Sequence, residues 1–172
     1  MTNTIHIGYH DSTIGEMVIG SFDDSICLLD FRYRRMRNTV DKRIKNLLRA
    51  DFVEKEDSGI RATRKQIDEY LQGQRQQFTV PILLLGTDFQ KQVWNALLDI
   101  AYGETVSYLQ VARKIRRPKA VRAVASANGA NAIALIVPCH RVIESGGGLG
   151  GYGGGIAVKK QLLDLETHAK HR

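Results

Sequence analysis

Cys139 and His140 set a thiol directly beside an imidazole in Ile136-Val137-Pro138-Cys139-His140-Arg141-Val142. A free thiol titrates near about 8.5, so only a small fraction is thiolate at neutral pH, and a nucleophilic cysteine needs a base, a cation or a helix N-terminus to raise it. His140 is the obvious base. Adjacent side chains project in different directions, so a bridging water is a more natural link from sulfur to ring than direct contact. The other ring nitrogen then needs an orienting acceptor, for which Glu144, Asp164 and Glu166 are all available. A buried cysteine is most often a small packed hydrophobe. Here the proline before the thiol, the adjacent imidazole and the glycine-rich stretch after it favour chemistry.

The elements around the thiol must position it. Ile133–Val137 is an apolar run that predicts a buried strand delivering Pro138-Cys139-His140. Ser145–Gly155 contains eight glycines around Leu149 and Tyr152. No Gly-Lys-Ser/Thr ending or dinucleotide pattern accompanies them, so the loop reads as backbone passing close to a ligand. Ile156 to about His168 predicts a closing helix with Ile156, Val158, Leu162, Leu163 and Leu165 apolar. Upstream, Thr87-Asp88 begins a helix with Phe89, Val93, Trp94, Leu97 and Leu98 inward. Thr105–Ile115 predicts a second helix and Lys119–Ala127 a short third one with very small side chains. The last two form a helix-turn-helix candidate flanked by Arg116, Arg117, Lys119 and Arg122. The third helix lacks the Asn, Gln and Arg cluster of a major-groove reader, whereas small residues let its backbone approach a narrow groove.

The first half reads differently. Ile5–Tyr9, Gly15–Ile19 and Ile26–Phe31 predict an antiparallel meander, followed by helices carrying Val40, Ile44, Leu47 and Leu48 and spanning about Ala62–Leu71, then a short strand at Phe78–Val80. Cys27 lies within the third run as a packing residue. His6, His10 and Cys27 are too few for a metal set, and no metal is expected. Arg32 to Arg37 reads as solvated surface. The pattern changes near Leu85, predicting a supporting domain over 1–85 and a functional one over 86–172.

Composition narrows the class. The 172 residues carry 43% hydrophobic and 25% charged side chains, with 25 Lys+Arg against 18 Asp+Glu for a net +7. That balance permits a polyanionic partner. Two distant cysteines fit a reducing compartment. With no leader pattern and no apolar run of about 20 residues, a cytoplasmic protein is expected.

Three blocks together, Pro138–Val142, Gly103-Glu-Thr-Val-Ser-Tyr108 and Pro118-Lys-Ala-Val-Arg-Ala-Val124, resemble the methylated-DNA–protein-cysteine methyltransferases, which repair O6-alkylguanine. The resemblance covers about half the chain, Thr87 to Glu166; the first half matches only in length and element order. It implies an α+β fold: a small antiparallel, ribonuclease H-like sheet with helices, then a mostly helical domain with a winged-helix-like helix-turn-helix. It also implies that Cys139 accepts the alkyl group, His140 acts as water-mediated base, Glu166 orients it, and Asn131 braces the turn. Tyr108 would crowd the target phosphate and donate to guanine, and Arg122 would fill the gap left by a flipped base, with Arg117 a further DNA contact. Tyr152, Gly153 and Val142 would line the guanine pocket. Ala134 and Gly153 depart from relatives that carry proline and serine there. The four-cysteine zinc module of some relatives is not in the sequence.

The expected function is direct reversal of O6-methylguanine, and of O4-methylthymine, in duplex DNA. A flipped base would be approached from the minor groove and its alkyl group transferred once per molecule, by a monomer without a cofactor. A thioether offers water no carbonyl to attack, so nothing regenerates the thiol. The competing readings are a sensor that binds alkylated bases without transfer, which has no need of the acceptor thiol, and a thiol hydrolase using Cys139 and His140.

Overall fold

A computed structural model describes residues 3–170, which fall into two compact units divided between Gly86 and Thr87.

The first unit is built on a four-stranded sheet of order β3-β2-β1-β4. Strands β1 (Asn3–Ser12), β2 (Gly15–Phe22) and β3 (Ser25–Phe31) form the antiparallel meander expected from the three runs. Asp23 and Asp24 turn the second hairpin with φ of 48° and 64°, the positive values that a two-residue turn needs to match strand twist. A fourth strand, unread in the sequence, makes the sheet mixed: β4 (Ala50–Glu54) runs parallel to β1, with Asn3 opposite Ala50. Parallel neighbours need a crossover, and helix α1 (Arg37–Leu48) supplies it, ending on Arg49 in the left-handed conformation. Its N-cap is Met36, and Leu47 is exposed. Helix α2 (Ser58–Leu71) starts four residues earlier than the apolar pattern suggested, because Asp57 caps it by accepting from the Ile60 N–H at 2.8 Å.

Phe78–Val80 is not a strand. The Gln66 side chain bonds both the Thr79 N–H (2.9 Å) and its hydroxyl (2.7 Å), taking the place of a sheet partner. The chain meets the sheet at Pro81, whose carbonyl accepts from the Ile26 N–H at 2.8 Å, forming an isolated parallel bridge between Ile82 and Ile26. His6 and His10 pair separately with Asp57 and Asp68, at 2.9 and 2.7 Å. Burial pushes the Cys27 thiol up to about 12, a value suited to packing and not to nucleophilic chemistry.

The second unit is mostly helical. Helix α3 (Asp88–Leu98) begins at the expected cap, where Thr87 and Gln90 close a reciprocal capping box. Leu98 is exposed, not inward. The segment expected as one helix from Thr105 divides: Val106–Ser107 is strand β5, and helix α4 (Tyr108–Lys114) starts only after Ser107, again with a capping box to Gln110. Helix α5 is Val121–Gly129, two residues later than expected, and the Trp94 indole donates to the Ala127 carbonyl at 2.8 Å to pin α3 against it. A two-residue strand, β6 (Val142–Ile143), pairs in parallel with β5. Helix α6 (Ile156–Lys170) closes the described chain.

The run Ile133–Val137 is buried as expected but is a compact turn, not a strand, with Leu135 at φ 69°. Its polar groups are satisfied locally: Val137 N–H bonds the Ile133 carbonyl at 3.0 Å, and the Asn131 amide takes much of the remainder. A non-glycine residue in this region costs about 1–3 kcal/mol unless its surroundings impose it. Here burial of Leu135 and the Asn131 bonds do so.

Candidate active site

Cys139 opens a short 3₁₀ turn, Cys139–Arg141, that emerges from the buried Ile133–Val137 turn. Asn131 holds the approach, accepting from the Ile133 N–H at 3.0 Å and donating to the Val137 carbonyl at 2.9 Å. Asn128, on α5, donates to the carbonyl of Cys139 itself at 3.4 Å. Two asparagines thus fix the thiol-bearing backbone from the side of the helix-turn-helix.

The 3₁₀ turn points His140 and Arg141 inward together. The His140 ring is fully buried and its Nε2 lies 2.8 Å from Glu166 Oε2 on α6. Of the three acidic residues open from the sequence, Glu166 makes this contact; Asp164 instead pairs with Lys160 at 2.8 Å. Arg141 donates Nε to Oε1 of the same carboxylate at 2.8 Å and Nη2 to Oε2 at 2.9 Å, while Nη1 reaches the Ile100 carbonyl at 2.7 Å. The Gly103 N–H adds a weaker contact at 3.3 Å. Burial alone would raise the Glu166 carboxyl, but the hydrogen bonds and charges of His140 and Arg141 outweigh it and bring it down to about 2. Burial also lowers the His140 ring, only partly offset by Glu166. The stable state is a neutral imidazole donating Nε2–H to a carboxylate, which leaves Nδ1 as its basic nitrogen.

Arg141 and Lys159 were not singled out from the sequence. Lys159 on α6 is fully buried, and its ammonium donates to the carbonyls of Val142 at 2.6 Å and Gly151 at 3.2 Å. It ties the strand after the thiol to the glycine-rich loop. Desolvation lowers its ammonium, against the opposing pull of Cys139 and Glu144. Its spacing held a clue: Lys159, Leu162 and Glu166 recur at three and four residues and are all buried on one face of α6.

The expected pocket residues converge on the same region. Val142 is buried and lends its carbonyl to Lys159, Tyr152 sits edge-on to the His140 ring at 6.4 Å between centroids, and Gly153 is exposed. Tyr108, first residue of α4, is half-buried; a Cβ on Gly150, at φ 75°, would lie 2.7 Å from its hydroxyl, and both features favour glycine there. Burial, with Cys139 and Glu144 nearby, raises the Tyr108 phenol and keeps it a donor.

The exposed face of α5 carries Arg122 with Ala123, Ala125, Ser126 and Gly129, while Val124, Ala127 and Asn128 face inward. Arg117 is exposed with its guanidinium 5.9 Å from the Phe89 ring. Thr87–Arg172 holds 12 Lys+Arg against 6 Asp+Glu, so nearly all the net +7 belongs to the unit with the thiol. Among the described residues no group of His, Cys, Asp and Glu is arranged to hold a metal, and no helix is long and apolar enough to cross a membrane.

Comparison with known proteins places this geometry. Residues 88–168 match the family model of the 6-O-methylguanine DNA methyltransferase DNA binding domain, and residues 5–84 that of its ribonuclease-like domain. The resemblance therefore extends through the first half, further than its sequence motifs suggested. An inducible methylated-DNA–protein-cysteine methyltransferase of Bacillus subtilis is 54% identical over 104 residues, 60% of this chain and 58% of that protein. The first relatives are thus matched over less than two thirds of their length. The Mycobacterium leprae methylated-DNA–protein-cysteine methyltransferase is 41% identical over 95% of this chain and 93% of its own. The crystal structure of Mycobacterium tuberculosis OGT in complex with DNA superposes with a TM-score of 0.83 at 40% identity, covering 95% of this chain and 94% of that one. With both of its units matched and relatives aligned along nearly the whole sequence, the chain belongs to the methylated-DNA–protein-cysteine methyltransferase family.

Proposed function

We propose that the protein repairs O6-alkylguanine in duplex DNA by moving the alkyl group to Cys139. The observation that carries this reading is the single 3₁₀ turn that presents Cys139 while its neighbour His140 is locked, 2.8 Å away, onto an ionised buried Glu166.

The thiol proton passes through a water to His140 Nδ1, and the resulting imidazolium is stabilised by the Glu166 carboxylate. The thiolate attacks the alkyl carbon in line; the C–O6 bond breaks and its electron pair stays on guanine, where the Tyr108 hydroxyl offsets the developing charge. The product is an S-alkylcysteine with no carbonyl for water to attack, so each molecule acts once, without a cofactor. Glu166 orients and neutralises rather than accepting the proton, as its low pKa requires.

An alkyl carbon inside a base stack is out of reach of a thiol, and flipping the base costs a few kcal/mol. The small-residue face of α5 suits close approach to a minor groove, with Arg122 entering the vacated stack and Arg117 on the backbone. Tyr152, Gly153 and Val142 line the guanine site. O4-methylthymine presents the same alkyl–oxygen bond and is the second substrate. The protein works as a monomer, its first unit supporting the second, and functions in the cytoplasm.

Duplex DNA bearing O6-methylguanine with a labelled methyl group tests the reading. Label should accumulate on Cys139 to no more than one equivalent, and Cys139→Ser should abolish transfer while retaining DNA binding. Sustained turnover, or binding without transfer, would overturn it.

A further inference from the structure

The β5–β6 ladder pairs Val106 with Val142 and Ser107 with Ile143. Tyr108, the first residue of α4, and Glu144 directly follow the paired residues Ser107 and Ile143, so the ladder brings them near one another at the edge of the site. The glycine-rich loop then runs back across both. A Cβ on Gly148 would lie 2.5 Å from Glu144 Oε2, and one on Gly150 would lie 2.7 Å from the Tyr108 hydroxyl. Two glycines, two residues apart, are thus the seats of two different side chains. The loop is closed there by Glu144 N–H to the Gly148 carbonyl at 2.9 Å and Gly147 N–H to the Glu144 carbonyl at 3.0 Å.

Tyr108 belongs to the alkyl-transfer site, whereas Glu144 has no place in the mechanism above. It is an exposed anion in a unit whose charge is otherwise strongly positive. Electrostatically it acts on both Tyr108 and Lys159, the two groups that also feel Cys139. An anion beside Tyr108 disfavours any substrate that brings a second negative charge there.

We infer that Glu144 is a specificity-determining residue: its carboxylate, carried beside Tyr108 by the β5–β6 ladder and seated against Gly148, disfavours O6-alkyl adducts that end in an anion relative to neutral ones. The inference rests on the alkyl-transfer reading. It predicts that removing the charge improves acceptance of acidic adducts.

The test measures single-turnover S-alkylation of Cys139, by mass spectrometry of its peptide, on duplexes carrying O6-methylguanine or O6-carboxymethylguanine. Glu144→Gln should raise the carboxymethyl-to-methyl rate ratio about fivefold, and the ratio cancels any general effect on phosphate contacts. Gly148→Ala, whose methyl pushes the carboxylate aside without removing its charge, should change the ratio in the same direction by less. Raising NaCl to about 0.5 M should shrink the difference between wild type and Glu144→Gln, because exposed charges are screened. A wild-type protein that transfers no methyl group sinks the alkyl-transfer reading. Methyl transfer with no gain in the carboxymethyl arm for Glu144→Gln overturns the role of Glu144 alone.

Discussion

Two carboxylates in this protein are almost completely buried beside arginines, and they behave oppositely. Asp30, at the end of β3 in the first unit, receives Arg34 at 3.0 Å, Arg37 at 2.7 Å and the Phe31 N–H at 2.8 Å, with both arginines on the same oxygen. Arg37 divides its donors with Asp41. Burial wins there, and the Asp30 carboxyl is held above its ordinary range despite the arginines. Glu166, in the second unit, has Arg141 across both oxygens, a histidine, and a backbone N–H, and falls to about 2. Proximity to arginine does not by itself keep a buried carboxylate ionised. Both carboxylates have donors on both oxygens, so the balance lies between burial, which prevails at Asp30, and the added hydrogen bond and charge of His140, which together with Arg141 prevail at Glu166. Only the second arrangement supplies a fixed anion against which a histidine can become cationic.

Substitution at the two carboxylates should separate these roles most widely. Glu166→Gln should lower the single-turnover transfer rate on the order of 100-fold and cost about 3 kcal/mol of stability by stranding Arg141. Asp30→Asn should destabilise too, yet leave transfer per folded molecule within about twofold, since Asp30 belongs to the unit that does not carry the thiol. Rapid-quench transfer assays and urea titrations measure the two quantities, and a comparable rate loss in both variants would erase the distinction.

Lys159→Met comes next. It leaves the Val142 and Gly151 carbonyls without their charged donor, and transfer should fall about tenfold, with protease sensitivity rising in the glycine-rich loop. An unchanged rate would make Lys159 a packing residue only.

The pH dependence of stability sharpens the contrast by sign. His140 is depressed from 6.5, so the unfolded chain takes up a proton that the fold refuses, and stability is lost as pH falls below about 6.5. Glu166, depressed from 4.5 to about 2, contributes stability above 4.5 that is lost between 4.5 and 2. Asp30, raised from 3.8, works the other way and gains stability as pH falls through its folded value. Thermal melts from pH 7 to 3 should therefore decline more steeply for Asp30→Asn than for wild type, and less steeply below about 4.5 for Glu166→Gln. Parallel curves for all three proteins would contradict these assignments.

The smallest effect concerns Arg122, on the exposed face of α5. Arg122→Ala should weaken capture of the lesion in duplex DNA by about fivefold and affect O6-alkylguanine free base less. Equal losses on the two substrates would mark Arg122 as structural.

The amino-acid order alone determined the chemistry of the site: a thiol, an imidazole and a glycine-rich loop in one stretch, a helix pair with a bare second helix, and three motifs specific to one family. It also determined the meander and the α3 cap, whose signals lie within a few residues of each other. Tertiary structure decided what depends on residues far apart in the chain. Glu166 was chosen over Glu144 and Asp164 by the way α6 docks, not by spacing. Arg141 and Lys159 became buried site residues because packing set their charges against a carboxylate and two carbonyls. Ile133–Val137 turned instead of extending because the Asn131 side chain satisfies backbone groups that a strand would have had to pair. The parallel strand β4 lay beyond reach for the same reason, since only α1 packing brings Ala50–Glu54 beside β1. Local propensity and motif are written in neighbouring residues, whereas the choice of partner for each buried polar group is made only when the chain closes on itself.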